Sequence, residues 1–156
     1  MILGYGIMKN KNKVVVGYRH TGVIVKDMKE SLFFYRDILG LEVIQDFYDK
    51  SDYINKITGT TNANVHMIKL RALDDTVIEI LEYENYPTEL IPHEIHNVGI
   101  CHIALRVDNA NDAYERLIEN NVKVLSKPIL SSCKIAKVFF CIDPNNVRIE
   151  LVEMIQ

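Results

Sequence analysis

His20-Thr-Gly-Val-Ile-Val-Lys-Asp27 and His102-Ile-Ala-Leu-Arg-Val-Asp-Asn109 carry the same pattern twice: a histidine, an alternating strand, then a helix-capping residue. A second pattern repeats with it, because Val77-Ile-Glu79-Ile-Leu81 lies over Arg148-Ile-Glu150-Leu-Val152. The histidines stand 82 residues apart and the glutamates 71, so the first half holds 11 additional residues. They fall between Asp49 and Thr60, where the second half has only a short connection. A duplication with one insert accounts for the spacing, and a repeat of this size governs the fold.

Working outward, the stretch Tyr18 to Lys26 alternates, with Thr21, Val23 and Val25 on one face and Tyr18, His20, Gly22 and Ile24 on the other. Asp27 with Glu30 resembles a capping box, and Met28, Leu32, Tyr35 and Leu39 recur at helical spacing until Gly40. Strands are predicted at Leu41 to Tyr48, Asn64 to Arg71 and Thr76 to Tyr83, with the insert as a short helix or lid. Residues 85–98, with Pro87 and Pro92, form the connector. The order then repeats: a strand at Gly99 to Val107, a helix from Asn109 to Asn120 with Ala113, Leu117 and Ile118 inward, and strands at Val122 to Leu125, Lys134 to Ile142 and Val147 to Val152. The fold class is α+β, a βαβββ module used twice. Residues 1–15 read as a leader and 16–156 as one domain, with modules at about 18–84 and 99–154.

The composition, 48% hydrophobic and 25% charged, is that of an ordinary globular domain, and the formal charge of −3 gives no footprint for nucleic acid or an acidic membrane. No run approaches the roughly 18 apolar residues of a membrane span, and the N-terminal residues lack a basic leader with a cleavage site. A cytoplasmic protein with a small-molecule substrate is expected. Cys101, Cys133 and Cys141 are isolated and odd in number, which suits reduced core thiols better than a disulfide frame.

The candidate chemistry lies in His20, Glu79, His102 and Glu150, each on the strand face opposite the aliphatic one. A carboxylate on such a wall needs a counter-charge, and one divalent metal supplies it. Two imidazole nitrogens and two carboxylate oxygens suit Zn, Ni, Co, Mn or Fe, and an octahedral ion keeps positions for water or substrate oxygens. Arg106 and Arg148 fall on the same face, where they would either meet an anionic substrate group or pair with Glu79 or Glu82. Tyr18, Leu81 and Tyr83 are candidates to line the pocket, and the insert to close over it. His93 and His96 belong to a solvated connector, and His66 to a supporting shell or plain surface.

These residues resemble the vicinal oxygen chelate superfamily of glyoxalases, bleomycin-resistance proteins and dioxygenases, and among them the glyoxalase I-like lyases. The likeness runs from about Tyr18 to Glu153 and rests on His20-x-Gly-x-x-Val-x-Asp27, Ser31-Leu-Phe-Phe-Tyr35, Leu39-Gly40-Leu41, Gly99-x-x-His102-Ile-Ala-Leu-x-Val107 and Asp143-Pro-Asn-Asn-Val-Arg-Ile-Glu150-Leu. It implies paired modules forming a cupped, barrel-like mixed sheet around a metal site, often in a homodimer. The cup closes either within one chain or by exchange between two.

His20, Glu79, His102 and Glu150 fall where glyoxalase-type members place their ligands. Glu79 favours the lyase or isomerase branch, since dioxygenase and fosfomycin-resistance members generally use two His and one Glu. That branch implies proton transfer α to a carbonyl through a metal-held enediolate, with Glu150 or Glu79 as the base, Glu150 first. An Fe(II) dioxygenase and a non-catalytic small-molecule binder are the alternatives. Two departures bear on substrate: Ile24 stands where glutathione-using members carry an Arg, and the long loop of methylmalonyl-CoA epimerases before the last strand is absent.

Overall fold

The computed structural model describes residues 14–155, so the expected leader falls almost wholly outside the described residues. The first module comprises β1 (Thr21–Ile24), α1 (Met28–Leu32) continuing into a π-helical segment (Phe33–Ile38), β2 (Glu42–Asp49), α2 (Asp52–Thr58), β3 (Val65–Arg71) and β4 (Val77–Tyr83). The second comprises β5 (Ile103–Arg106), α3 (Ala110–Glu119), β6 (Ile129–Leu130), β7 (Ala136–Ile142) and β8 (Arg148–Met154). Each forms a four-stranded mixed sheet, in the orders β1-β4-β3-β2 and β5-β8-β7-β6. In each, the first and last strands of the module pair in parallel and the remaining contacts are antiparallel. The α+β class and the repeated module are therefore as read. The sheets are cupped and do not close into a barrel.

Local chemistry explains the boundaries. Asp27 accepts a hydrogen bond from the Glu30 amide at 2.8 Å, and Asn109 does the same for Asn111 and Asp112 at 2.8 and 3.2 Å, so each helix begins on the capping residue that follows the repeated strand. Gly40, at φ 79°, supplies the left-handed turn that releases the chain into β2. The first helix widens after Leu32, with the Leu39 amide donating to the Phe34 carbonyl five residues back at 2.9 Å. The widened turn lets the adjacent residues Phe34 and Tyr35 both enter the core.

Four expectations need correction. The segment 122–125 is no strand and makes a single bridge, Val124 to Cys141, while the short β6 arises at Ile129–Leu130. Ile118 is 46% exposed, because the inward stripe of α3 runs through Ala110, Ala113, Tyr114 and Leu117 and leaves the next position on the flank. β1 and β5 are only four residues long, so His20 and His102 each sit one residue before a strand. Of the cysteines only Cys141 belongs to the core; burial pushes its thiol up to about 12, whereas Cys133 is exposed and Cys101 half-buried.

One hydrophobic core joins the modules, with Val25, Phe34, Tyr35, Ile68 and Ile80 of the first in the same cluster as Leu117, Phe139, Ile149 and Leu151 of the second. The joint is fastened by the β7–β8 turn. Buried Asp143 accepts from the Tyr35 hydroxyl at 2.9 Å and from the Asn145 and Val147 amides at 2.8 and 2.7 Å. Asn145 accepts from the Lys26 amide at 2.9 Å and donates to the Ser31 hydroxyl at 3.1 Å. Burial, reinforced by the nearby Asp143 carboxylate, holds the Tyr35 phenol well above its ordinary range, so it stays a donor. Asp143→Ala orphans several buried donors and is expected to lower stability by about 2–4 kcal/mol, against about 1 kcal/mol for Tyr35→Phe, read from urea unfolding midpoints at constant slope.

Candidate metal centre

Strand alternation decides where the four ligands go. In the parallel register Gly22 faces Glu79 and Ala104 faces Glu150, so in each sheet a residue without a long side chain leaves room between the histidine and the glutamate. His20 Nε2 lies 3.2 Å from Glu79 Oε2, and His102 Nε2 lies 3.1 Å from Glu150 Oε2. The side chains are partly open, at 30% and 12% for the first pair and 34% and 21% for the second. The two copies of the repeated module thus build the same pair to within 0.1 Å.

The spacing fits a pair of ligands on one ion, since donors about 2.0–2.2 Å from a metal and at right angles to each other lie about 3 Å apart. Among the described residues no three His, Cys, Asp or Glu side chains gather closely enough to hold an ion. The reason is packing: Ile78, Ile80, Ile149 and Leu151 point into the shared core, so the intervening Glu79 and Glu150 sit on faces turned away from it. The structure brings His20 to Glu79 and His102 to Glu150, and does not bring the two pairs together.

The other expected site residues fall differently. Arg148 lies on the Glu150 face and donates through Nη1 to the His93 carbonyl at 2.6 Å, while its Nε is buried with no hydrogen-bond partner among the described residues. Arg106 is exposed near Asp74 and lines a cavity of about 550 Å³ between the modules, whose lining includes Ala104 but neither glutamate. Neither arginine forms an ion pair with Glu79 or Glu82 among the described residues. Tyr18 is exposed and its hydroxyl contacts Thr21 Oγ1. Tyr83 is packed edge-on against Tyr86 in a small cluster with Ile54, Val65, Met67 and Leu81, which places the α2 insert on the same face as Glu79. His66 belongs to the opposite face, bonded to Asp46 at 2.7 Å and stacked on Tyr48.

Sequence reasoning missed Lys69, whose Nζ lies 3.4 Å from Glu79 Oε1. Its alternation with Ile68 and Leu70 placed it on the ligand face, but nothing in the spacing marked it as a partner.

A family model of the Glyoxalase/Bleomycin resistance protein/Dioxygenase superfamily matches residues 17–151. The chain belongs to that superfamily. Among curated relatives, lactoylglutathione lyase of Schizosaccharomyces pombe is 27% identical over 140 residues, covering 85% of this chain and 46% of that protein, so the chain spans about half of that relative's length. Lactoylglutathione lyase of Salmonella typhimurium is 28% identical over 136 residues, covering 86% of this chain and 90% of that enzyme. Among solved structures, a glyoxalase family protein from Bacillus cereus superposes with a TM-score of 0.83 at 15% identity, covering 94% of this chain and 99% of that one. The fosfomycin resistance protein FosX of Listeria monocytogenes, solved with Mn(II), superposes at 0.60 with 18% identity, covering 90% of this chain and 94% of that one. The superfamily thus includes members that bind a divalent metal, and the fold is that of its glyoxalase-family proteins. Among the described residues no helix is long and apolar enough to cross a membrane.

Proposed function

We propose that this protein is a metal-dependent lyase or isomerase of the glyoxalase type, acting α to a carbonyl of a small substrate, with its site completed between two copies of the chain. The observation that carries the reading is the matched His20–Glu79 and His102–Glu150 pairs at 3.2 and 3.1 Å on outward faces of a duplicated module. Each pair is half of a four-ligand set. A second copy of the same chain is the simplest source of the other half, because a twofold arrangement with the first module of one chain against the second module of its partner joins a His20–Glu79 pair to a His102–Glu150 pair. Manganese in FosX and the names of the lyase relatives support a divalent ion and this reaction class.

A divalent ion held by His20, Glu79, His102 and Glu150 would supply the Lewis acidity that acidifies the C–H next to the carbonyl. Glu150 takes the proton from the carbon next to the carbonyl and returns it to the neighbouring carbon. Arg148, on the Glu150 face, receives an anionic group of the substrate through the part of its guanidinium not bonded to His93. Ile24, where glutathione-using members carry an Arg, leaves the thiol adduct of glutathione without its usual partner, so the substrate class is set more widely as α-oxygenated carbonyl compounds. An Fe(II) dioxygenase is the competing reading, and Glu79 weighs against it.

The test is metal analysis of the purified protein, followed by a panel of carbonyl substrates in D₂O with and without oxygen. Deuterium incorporation at carbon without oxygen uptake, abolished by chelation and restored by metal, is the expected result. Oxygen consumption with iron that survives Glu79→Gln would reverse the assignment.

A further inference from the structure

The two half-sites differ in the residue that the neighbouring antiparallel strand sets beside the glutamate. Lys69 on β3 pairs across the ladder with Glu79, and Phe140 on β7 pairs in the same way with Glu150. In the first module the Lys69 ammonium reaches Glu79 Oε1 at 3.4 Å, while Oε2 of the same carboxylate faces His20. Both oxygens of Glu79 are therefore engaged, one toward the ligand histidine and one toward a fixed cation. The ammonium is itself held: its side chain is only 18% exposed and it lies 6.0 Å from the centre of the Phe47 ring.

The second module has no such tether. Phe140 offers a ring, set edge-on to His102 with centroids 5.3 Å apart, and Glu150 has its Oε2 contact to His102 alone among the described ion pairs.

We propose that Lys69 is a positioning residue: it holds Glu79 as a single-oxygen ligand through Oε2, and its replacement by Phe140 in the second module leaves Glu150 as the carboxylate free to rotate away. The inference rests on the metal site proposed above and concerns a difference between its two halves. Outer-shell partners of this kind orient ligands, and their loss typically weakens metal binding by about 10–100-fold. A lysine that acted only through its charge would have the opposite effect, because removing a cation beside a dication strengthens binding.

The experiment is calorimetric titration of the metal-free full-length protein with Zn²⁺ and with Co²⁺, in the native chain and in Lys69→Met, Lys69→Gln and Lys69→Arg. The expected result is a loss of affinity of about 10–100-fold in Lys69→Met and Lys69→Gln, with Lys69→Arg within about threefold of native and the apoproteins unfolding at similar temperatures. Equal affinities across the set, or tighter binding by Lys69→Met, would overturn the proposal. A native protein that binds neither ion would instead sink the metal site itself, so the two failures are separable.

Discussion

Chains carrying His20→Ala and chains carrying His102→Ala, each without tight metal binding alone, are expected to recover about a quarter of the native number of tight sites when unfolded and refolded together. The argument is geometric. Each single variant breaks one half-site in every chain, so every centre in its own dimer lacks a histidine. In a mixed dimer, the chain with His102→Ala still offers an intact His20–Glu79 pair and the chain with His20→Ala an intact His102–Glu150 pair. If centres form between copies, one of the two in that dimer is whole and the other lacks both histidines. Random assortment makes about half of the dimers mixed, which gives the quarter. Centres built inside one chain would remain broken in every combination, and no recovery would be seen. Equilibrium dialysis against Zn²⁺ counts the sites without any need for a substrate, and sedimentation of the same samples establishes that dimers have formed.

What the sequence disclosed, and what it did not, follows from the range of the interactions involved. The duplicated module was legible because it is written in local signals: alternation that aims Val23 and Val25 inward, capping by Asp27 and Asn109, a left-handed glycine at position 40. The pairing of His20 with Glu79, and of His102 with Glu150, was legible because parallel neighbours in a duplicated fold inherit the same register. The relation of the modules to each other was not. It depends on Asp143, Asn145 and Tyr35 meeting across 108 or more residues, in a turn whose sequence announces only a turn. Because that joint turns the ligand faces away from the common core, four residues that align in the sequence form two pairs in the chain. Arg106 and Arg148 illustrate the limit of face assignment, since both occupy ligand-face positions yet one is beside Asp74 at the module junction and the other is bonded to the connector. Lys69 escaped notice for the same reason, because a lone lysine on a half-exposed strand face carries no pattern.

Glu150→Gln is expected to lower turnover by about 10²–10⁴-fold, the range lost when a positioned general base is removed, while leaving metal affinity within about tenfold of native because the amide oxygen still ligates. Glu79→Gln should divide the other way, with the larger loss in metal affinity and the smaller in turnover at saturating metal. The asymmetry comes from the neighbours: a carboxylate held by Lys69 at 3.4 Å on one oxygen and His20 at 3.2 Å on the other has little freedom to reach toward a carbon, whereas one flanked by Phe140 has an oxygen to spare. Metal-saturated initial rates on whichever carbonyl compound exchanges deuterium, set beside calorimetric affinities for the same variants, separate the two roles. The discriminating result is the cross-over. If Glu79→Gln lost the proton exchange and Glu150→Gln kept it, the base would be assigned to the first module, and the tether to Lys69 would have to break during each turnover.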